Sequence, residues 1–306
     1  MLGFDWHSSG VTTTVCGALK EGIKGMEKEL GFFIAGGKGG TSRKTPLEIA
    51  EICDRRTMDG GPLIYASRMS AKVDSAAVQD GYQIYHHTFF FTQSGQWAVV
   101  QQGMNKESRY ARRYHWLSVG VKDFVCEPHW AVCCDQRKEG LNLVAVESGE
   151  TRRSIADLSH ERPEFLIAEG KRANELYLSK KHPVPMEEIR LERLEKMFVQ
   201  IYEHSPGNFE ELLRIRGVGP KSLRALTLIS ELIHGVSPSF KDPARFSFAH
   251  GGKDGHPYPV DRQVYDRTIE VLKSAIDKAK VGDREKMEAI RSLAEFNVKC
   301  QNLNDK

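Results

Sequence analysis

Hydrophobic residues recur at helical spacing through much of the second half of the chain. Over residues 187–204 the apolar side chains fall on one helical face and charged side chains fall on the other. The polar segment 205–208 interrupts this pattern, which then resumes over residues 209–233. The pattern predicts helices in this half of the molecule.

The first half alternates between two kinds of pattern. Residues 45–56 predict a helix, with Thr45 as N-cap, Pro46 at the first helical position and Glu48 closing a capping box. Residues 82–91 and 97–101 are aromatic and β-branched and are separated by turn residues, which predicts a β-hairpin. We therefore expect a mostly antiparallel sheet over residues 80–148.

Length and composition limit the possible architectures. A chain of 306 residues suggests two domains, and its 40% hydrophobic and 28% charged residues are typical of globular proteins. We predict an α+β protein with a mixed N-terminal domain over residues 1–150, a helical linker over 151–185 and an all-α domain over 186–306. No apolar run reaches the length of a membrane span, so no membrane association is expected.

The cysteines and the net charge indicate compartment and partners only in outline. Six cysteines without the spacing of a disulfide scaffold favour a reducing, cytoplasmic location. A net charge of +3 permits an anionic partner without requiring one. The positions of the charges therefore decide whether nucleic acid is a plausible partner.

Residues 213–224 combine turn chemistry with concentrated positive charge. Gly217 can end a helix with positive φ, Val218 can fill the gap between two helices, and Gly219 allows close backbone approach. Pro220 can then start the next helix, whose first N–H groups favour a phosphate. The segment carries four cations and no acid, namely Arg214, Arg216, Lys221 and Arg224. This pattern predicts salt-sensitive binding to DNA phosphates without sequence specificity.

This segment resembles the helix-hairpin-helix motif of DNA-repair proteins, and residues 256–267 resemble the Pro-Val-Asp segment of the helix-hairpin-helix DNA glycosylase superfamily. The resemblance implies a helix-hairpin-helix C-terminal domain. It also implies that Lys221 is a Schiff-base nucleophile and Asp261 a catalytic carboxylate. The four-cysteine iron–sulfur pattern of one branch is absent, so no iron–sulfur cluster is expected. The DNA-binding residues that we predict here are Gly217, Val218, Gly219, Lys221 and Ser222.

The sequence leaves alternatives open for both catalytic candidates. Forty positions separate Lys221 from Asp261, which is longer than members of the superfamily usually show. A lysine at this position also occurs in hairpins that only bind DNA. Asp261 could instead cap a helix over Arg262–Lys278, as aspartate commonly does.

Polar residues of the first half suggest two further features. Residues 109–116 interleave basic and aromatic side chains, so Arg112 and Arg113 are candidates for DNA contact, with a solvated loop as the alternative. A second group offers imidazole and carboxylate ligands for a divalent metal, although ordinary buried histidines would explain the same residues. Its members are His86, His87, Glu127 and His129.

Nearly the whole chain resembles a prokaryotic family known only as a domain of unknown function, number seven hundred and sixty-three. The resemblance is carried by the run Gly-Phe-Asp-Trp-His-Ser-Ser-Gly at residues 3–10, the strand at 85–87, residues 97–105 and 111–116, and the glycine-containing hairpin. It implies no activity.

Three functional hypotheses follow. The first, which we favour from the sequence, is a DNA-repair endonuclease that binds damaged or abasic DNA and cleaves it with Mn²⁺ or Mg²⁺, with Asp5 and His7 as further catalytic candidates. The second is a glycosylase or abasic-site lyase that uses Lys221 and Asp261. The third is a structure-specific DNA-binding protein without catalytic activity.

Overall fold

The computed structural model describes residues 9–134, 137–177, 194–244 and 262–278, together with residues 282, 284, 286, 287, 290 and 291. The chain forms two compact units. One comprises Ser8–Phe246, and the other comprises Met1–His7 with Ser247–Lys306. In the second unit the described helix, Arg262–Lys278, has the predicted bounds.

The protein is a mixed α/β structure with a mostly antiparallel sheet and helices in its C-terminal part. The helices of the larger unit are α1 (Ser9–Gly22), α2 (Glu27–Leu30), α3 (Gly40–Arg43), α4 (Thr45–Arg56), α5 (Gly61–Lys72), α6 (Gly149–Leu158), α7 (Pro163–Tyr177), α8 (Glu195–His204), α9 (Phe209–Arg214) and α10 (Pro220–His234). A π-helical turn, Val73–Ala77, directly extends α5. Helix α11 is Arg262–Lys278 of the smaller unit.

Five strands form the main sheet in the order β1-β3-β4-β5-β6, and every neighbouring pair is antiparallel. The strands are β1 (Phe32–Lys38), β2 (Val78–Gln79), β3 (Gln83–Thr92), β4 (Trp97–Met104), β5 (Ala111–Leu117), β6 (Ala131–Cys133) and β7 (Leu141–Asn142). Strands β2 and β7 pair separately as a short ribbon. The predicted hairpin is confirmed, since β3 and β4 pair with Phe91 opposite Trp97.

Helices cover both faces of the sheet. Successive strand residues point to opposite faces. His87 bonds to Ser67 of α5 at 2.9 Å, whereas its neighbour Thr88 forms a hydrogen bond with Cys16 of α1. Helix α5 therefore covers one face and α1 the other, which explains why polar residues of β3 are buried on either side.

The C-terminal helices share one hydrophobic core with the sheet. Leu212 and Val218 belong to the same buried cluster as Phe89 and Tyr114 of the sheet. Helices α6 and α7 contribute Ile155, Leu158, Leu166 and Ala173 to this core. Residues 151–177 are thus part of the compact unit, and the predicted boundaries at 150 and 185 do not coincide with its limits.

The predicted sheet region, residues 80–148, does not include strand β1. Strand β1 lies at one edge of the sheet, although its sequence Phe-Phe-Ile-Ala-Gly-Gly-Lys ends in glycines that resemble a flexible loop. Gly36 has a positive φ of 87°, and a Cβ atom there would lie 2.3 Å from the carbonyl oxygen of His87. Glycine is therefore required for β1 to approach β3 so closely.

Within the described residues, no helix has the length and apolar character that crossing a bilayer requires.

Candidate nucleic-acid interface

Helices α9 and α10 are joined by the short loop 215–219, and we call the two helices with this loop the helix pair. Asn208 caps α9, because its side chain accepts a hydrogen bond from the backbone N–H of Glu211 at 2.9 Å. Gly217 has a φ of 93°, which favours glycine, and Val218 is buried in the core. The predicted positive φ of Gly217 and burial of Val218 are thus confirmed, but α9 ends at Arg214 and Gly217 lies in the loop beyond the helix end.

The first turn of α10 contains backbone N–H groups that have no acceptor within the helix. Pro220 occupies the first turn and has no N–H group. Gly219 donates its N–H to the hydroxyl of Ser222 at 2.9 Å, and the same hydroxyl donates back to the Gly219 carbonyl at 3.0 Å. Ser222 therefore stabilises the turn, while the N–H groups of Lys221 and Ser222 lack helical acceptors by the geometry of a first turn.

The helix pair carries four cations, which lie at the end of α9, in the loop and in the first turns of α10. Arg214, Arg216 and Lys221 are exposed, and Arg224 is half-buried. The guanidinium of Arg214 lies 5.3 Å from the ring centroid of Tyr65, a cation–π contact that limits its motion. The hydroxyl of Tyr65 in turn donates to Glu210 of α9, and burial together with this carboxylate raises the pKa of Tyr65 to about 12.

Two polar side chains connect the helix pair to the α5 region. Gln79 donates to the carbonyl oxygen of Pro220 at 3.1 Å. Lys72, the last residue of α5, donates to the carbonyl oxygen of Ile215 at 3.4 Å. The first residue of the loop is therefore held to the end of α5, and the first residue of α10 is held to strand β2.

Arg112 is a structural residue, and the prediction that it contacts DNA is wrong. Its side chain is 0% exposed and forms ion pairs with Asp80 and Asp242, each at 2.7 Å. The guanidinium also lies 4.5 Å from the ring centroid of Tyr82. The physical reason is that residues 111–117 form a central strand, whose alternate side chains point into the core.

Arg113 points to the other face of β5. It is half-buried, and its Nη1 lies 3.4 Å from the hydroxyl of Thr12 in α1. The predicted solvated or DNA-facing loop at 109–116 is thus replaced by a strand between β4 and β6.

The four metal-ligand candidates are not brought together. His86 and His87 face opposite sides of the sheet, where their Nε2 atoms bond to Thr88 and Ser67 respectively, each at 2.9 Å. Burial lowers the pKa of both histidines, that of His86 to about 4. Among the residues that the structure describes, no group of three or more histidine, cysteine or acidic side chains is arranged to hold a metal ion.

Glu127 and His129, by contrast, line one cavity of about 460 Å³. Glu127 accepts a hydrogen bond from the N–H of Val146 at 3.2 Å, and its φ of 46° is unusual for a residue with a side chain. The other polar residues around the cavity are Asn142, Glu147, Lys241 and Asp242.

His129 belongs to a buried network centred on Asp74. The Asp74 carboxylate, which is 0% exposed and lies in the π-helical turn, binds Nε2 of His129 at 2.5 Å. It also accepts hydrogen bonds from Gln101 and, at 2.9 Å, from Trp116. A carboxylate with three donors is well compensated for burial, and it fixes the orientation of the imidazole.

Three of the predicted catalytic residues, Asp5, His7 and Asp261, lie outside the described residues. Sequence analysis missed Asp74, Asp80, Lys72 and Asp242. The sequence does contain a signal for Asp80, because this residue stands beside a glycine at the start of the predicted sheet region. Nothing in the sequence connects Asp242 to Arg112, which is 130 positions away.

A family model described as "Protein of unknown function (DUF763)" matches residues 1–260. The chain belongs to this family. The match to DUF763 covers the sheet, α1–α10 and the helix pair, so these features lie within the family region. The searches of curated proteins and of solved structures returned no match.

Proposed function

We propose that this DUF763 protein binds damaged or abasic DNA without sequence specificity through the helix pair and cleaves the DNA backbone there. The observation that carries the proposal is the combination, within the helix pair, of the start of α10, whose first-turn N–H groups lack acceptors in the helix, with the exposed cations Arg214, Arg216 and Lys221. Backbone N–H groups at a helix start and flexible cations are donors that phosphate favours. The resemblance of this segment to the helix-hairpin-helix motif agrees with that chemistry.

The predicted metal-dependent chemistry remains one form of this proposal. It has no support from His86, His87, Glu127 and His129, because only Glu127 and His129 line a common cavity and no group of three ligands forms among the described residues. The other catalytic candidates of the metal-dependent form, Asp5 and His7, lie outside the described residues. A lyase reaction through an amine is the second form, for which the resemblance to the glycosylase superfamily implies Lys221 as the candidate.

Cleavage of a labelled duplex with one abasic site tests the proposal. One reaction contains Mn²⁺ or Mg²⁺, a second contains EDTA, and a third contains borohydride, while affinity is measured separately on the same duplex. Cleavage only with metal supports the endonuclease, and cleavage in EDTA with a trapped adduct supports the lyase. Binding without cleavage in any reaction supports a DNA-binding protein and contradicts the enzymatic part. Absence of binding contradicts the whole proposal.

A further inference from the structure

One amine lies at the helix pair in a different environment from Lys221. Lys72 ends α5, its side chain is half-buried, and its Nζ lies 3.4 Å from the carbonyl oxygen of Ile215 in the loop 215–219. Among the described residues, no carboxylate forms an ion pair with Lys72. The amine is therefore held at the loop by a single long contact with a neutral acceptor.

Burial favours the uncharged form of such an amine. Taking an ammonium group out of water without a counter-charge is costly, and desolvation accordingly lowers the pKa of Lys72. Only an uncharged amine is nucleophilic, so a larger fraction of Lys72 is reactive near neutral pH than of a solvated lysine. Lys221 is exposed to solvent and lacks this advantage.

We propose that Lys72 is the amine that attacks the aldehyde of an abasic sugar bound at the helix pair. This inference rests on the proposed function, because the helix pair must first hold the DNA. A phosphate at the start of α10 would place the adjoining sugar beside the loop that Lys72 contacts. The substrate is the open-chain form of the abasic sugar, which carries an aldehyde at C1′.

The reaction balances without a further reactant. Nζ forms a bond to C1′, and the aldehyde oxygen leaves as water, with one proton from the amine and one from the solvent, to give a protonated imine. The imine acidifies C2′, whose proton passes to water. The electron pair released forms the C2′–C3′ double bond as the C3′–O bond breaks, and the phosphate leaves. Hydrolysis of the imine then restores Lys72.

Borohydride trapping with peptide mapping tests this assignment. Borohydride supplies hydride that reduces the imine to a stable amine, so the cross-linked residue can be identified by mass spectrometry. The wild-type protein is expected to carry the adduct on the peptide that contains Lys72. Lys72→Arg should lose at least tenfold in trapping and keep its DNA affinity, because arginine keeps the charge and can still donate to Ile215.

Lys171→Arg is the control, since it replaces an exposed amine on α7, outside the helix pair. It is expected to trap normally, with the adduct still on Lys72. An adduct on Lys221 or another residue, undiminished trapping by Lys72→Arg, or DNA binding without any adduct would overturn the inference. Binding without an adduct would leave the DNA-binding proposal standing, whereas absence of binding would overturn both. Equal unfolding midpoints for the two variants would show that neither result reflects misfolding.

Discussion

Replacing Arg112 by methionine separates a structural role from a DNA-binding role. The substitution keeps much of the side-chain volume but leaves the carboxylates of Asp80 and Asp242, each paired at 2.7 Å, without their guanidinium. Removing one member of a buried ion pair costs about 3–5 kcal/mol. This is a large part of the roughly 5–15 kcal/mol that stabilises a typical domain. We expect the melting temperature to fall by roughly 10 °C.

The pH dependence of this loss provides a second signature. Burial raises the pKa of Asp80, and Arg112 opposes that rise. In Arg112→Met the pKa of Asp80 therefore rises further. When the pKa of an acid is higher in the folded state than in the unfolded state, the protein keeps its stability at pH values below the unfolded-state pKa. It loses stability as the pH rises through the folded-state pKa. The deficit of the variant should accordingly be smaller near about pH 5 than near about pH 8.

Denaturant unfolding at several pH values, together with DNA affinity measured well below the melting temperature, tests this account. Arg113→Met is the control, because Arg113 is half-buried on the opposite face of the same strand and should lose about 1 kcal/mol or less. A loss below about 1 kcal/mol for Arg112→Met, combined with weaker DNA binding, would refute the structural role.

Three further predictions concern other parts of the structure. His86 and His115 are buried with pKa values lowered to about 4 and about 3, so the unfolded state binds protons first as pH falls. The free energy of unfolding should decrease below about pH 6.5, by about 1.4 kcal/mol per unit for each histidine, and less steeply in His86→Gln. Gly217→Ala should cost about 1 kcal/mol because φ is 93°, and calorimetry would measure it; no loss would contradict the assigned backbone conformation. Asp74→Asn should destabilise the protein by several kcal/mol, because His129 loses its charged partner; unchanged denaturant midpoints would show that the network is dispensable.

Local sequence patterns were sufficient wherever local physics determines structure. The alternation of β3 and β4 around a turn predicted their pairing, and the glycines, Val218 and Pro220 predicted the turn of the helix pair. These signals act over a few residues, since backbone preferences and turn geometry are local.

Patterns failed where distant residues decide the structure. Arg112, Tyr114 and Trp116 alternate along β5 and are buried on the same face. An arginine is expected at the surface unless acidic partners are available to it in the core, and the sequence does not show those partners. Asp242 reaches Arg112 only after the chain returns from α10.

Glu48 was predicted to cap α4. In the structure, its carboxylate instead accepts a hydrogen bond from the N–H of Gly36 at 2.7 Å and forms an ion pair with Lys20 at 2.6 Å. Strand β1 brings Gly36 to this carboxylate, and a nearby buried donor is a stronger partner than a helix end in solvent. The candidate site shows the same limit. Lys72 and the helix pair are 143 positions apart at their contact, so their proximity could not be predicted from the sequence.

The salt dependence of DNA affinity tests the central claim most directly. Arg216→Met combined with Lys221→Met removes two exposed cations from the helix pair, and Lys171→Met combined with Arg172→Met removes two exposed cations from α7. Each phosphate contact contributes about 0.9 to the slope of log affinity against log salt concentration. We predict that the first double variant loses roughly 1.8 from this slope while the second keeps the wild-type slope. Equal slopes for the two variants would contradict DNA binding by the helix pair.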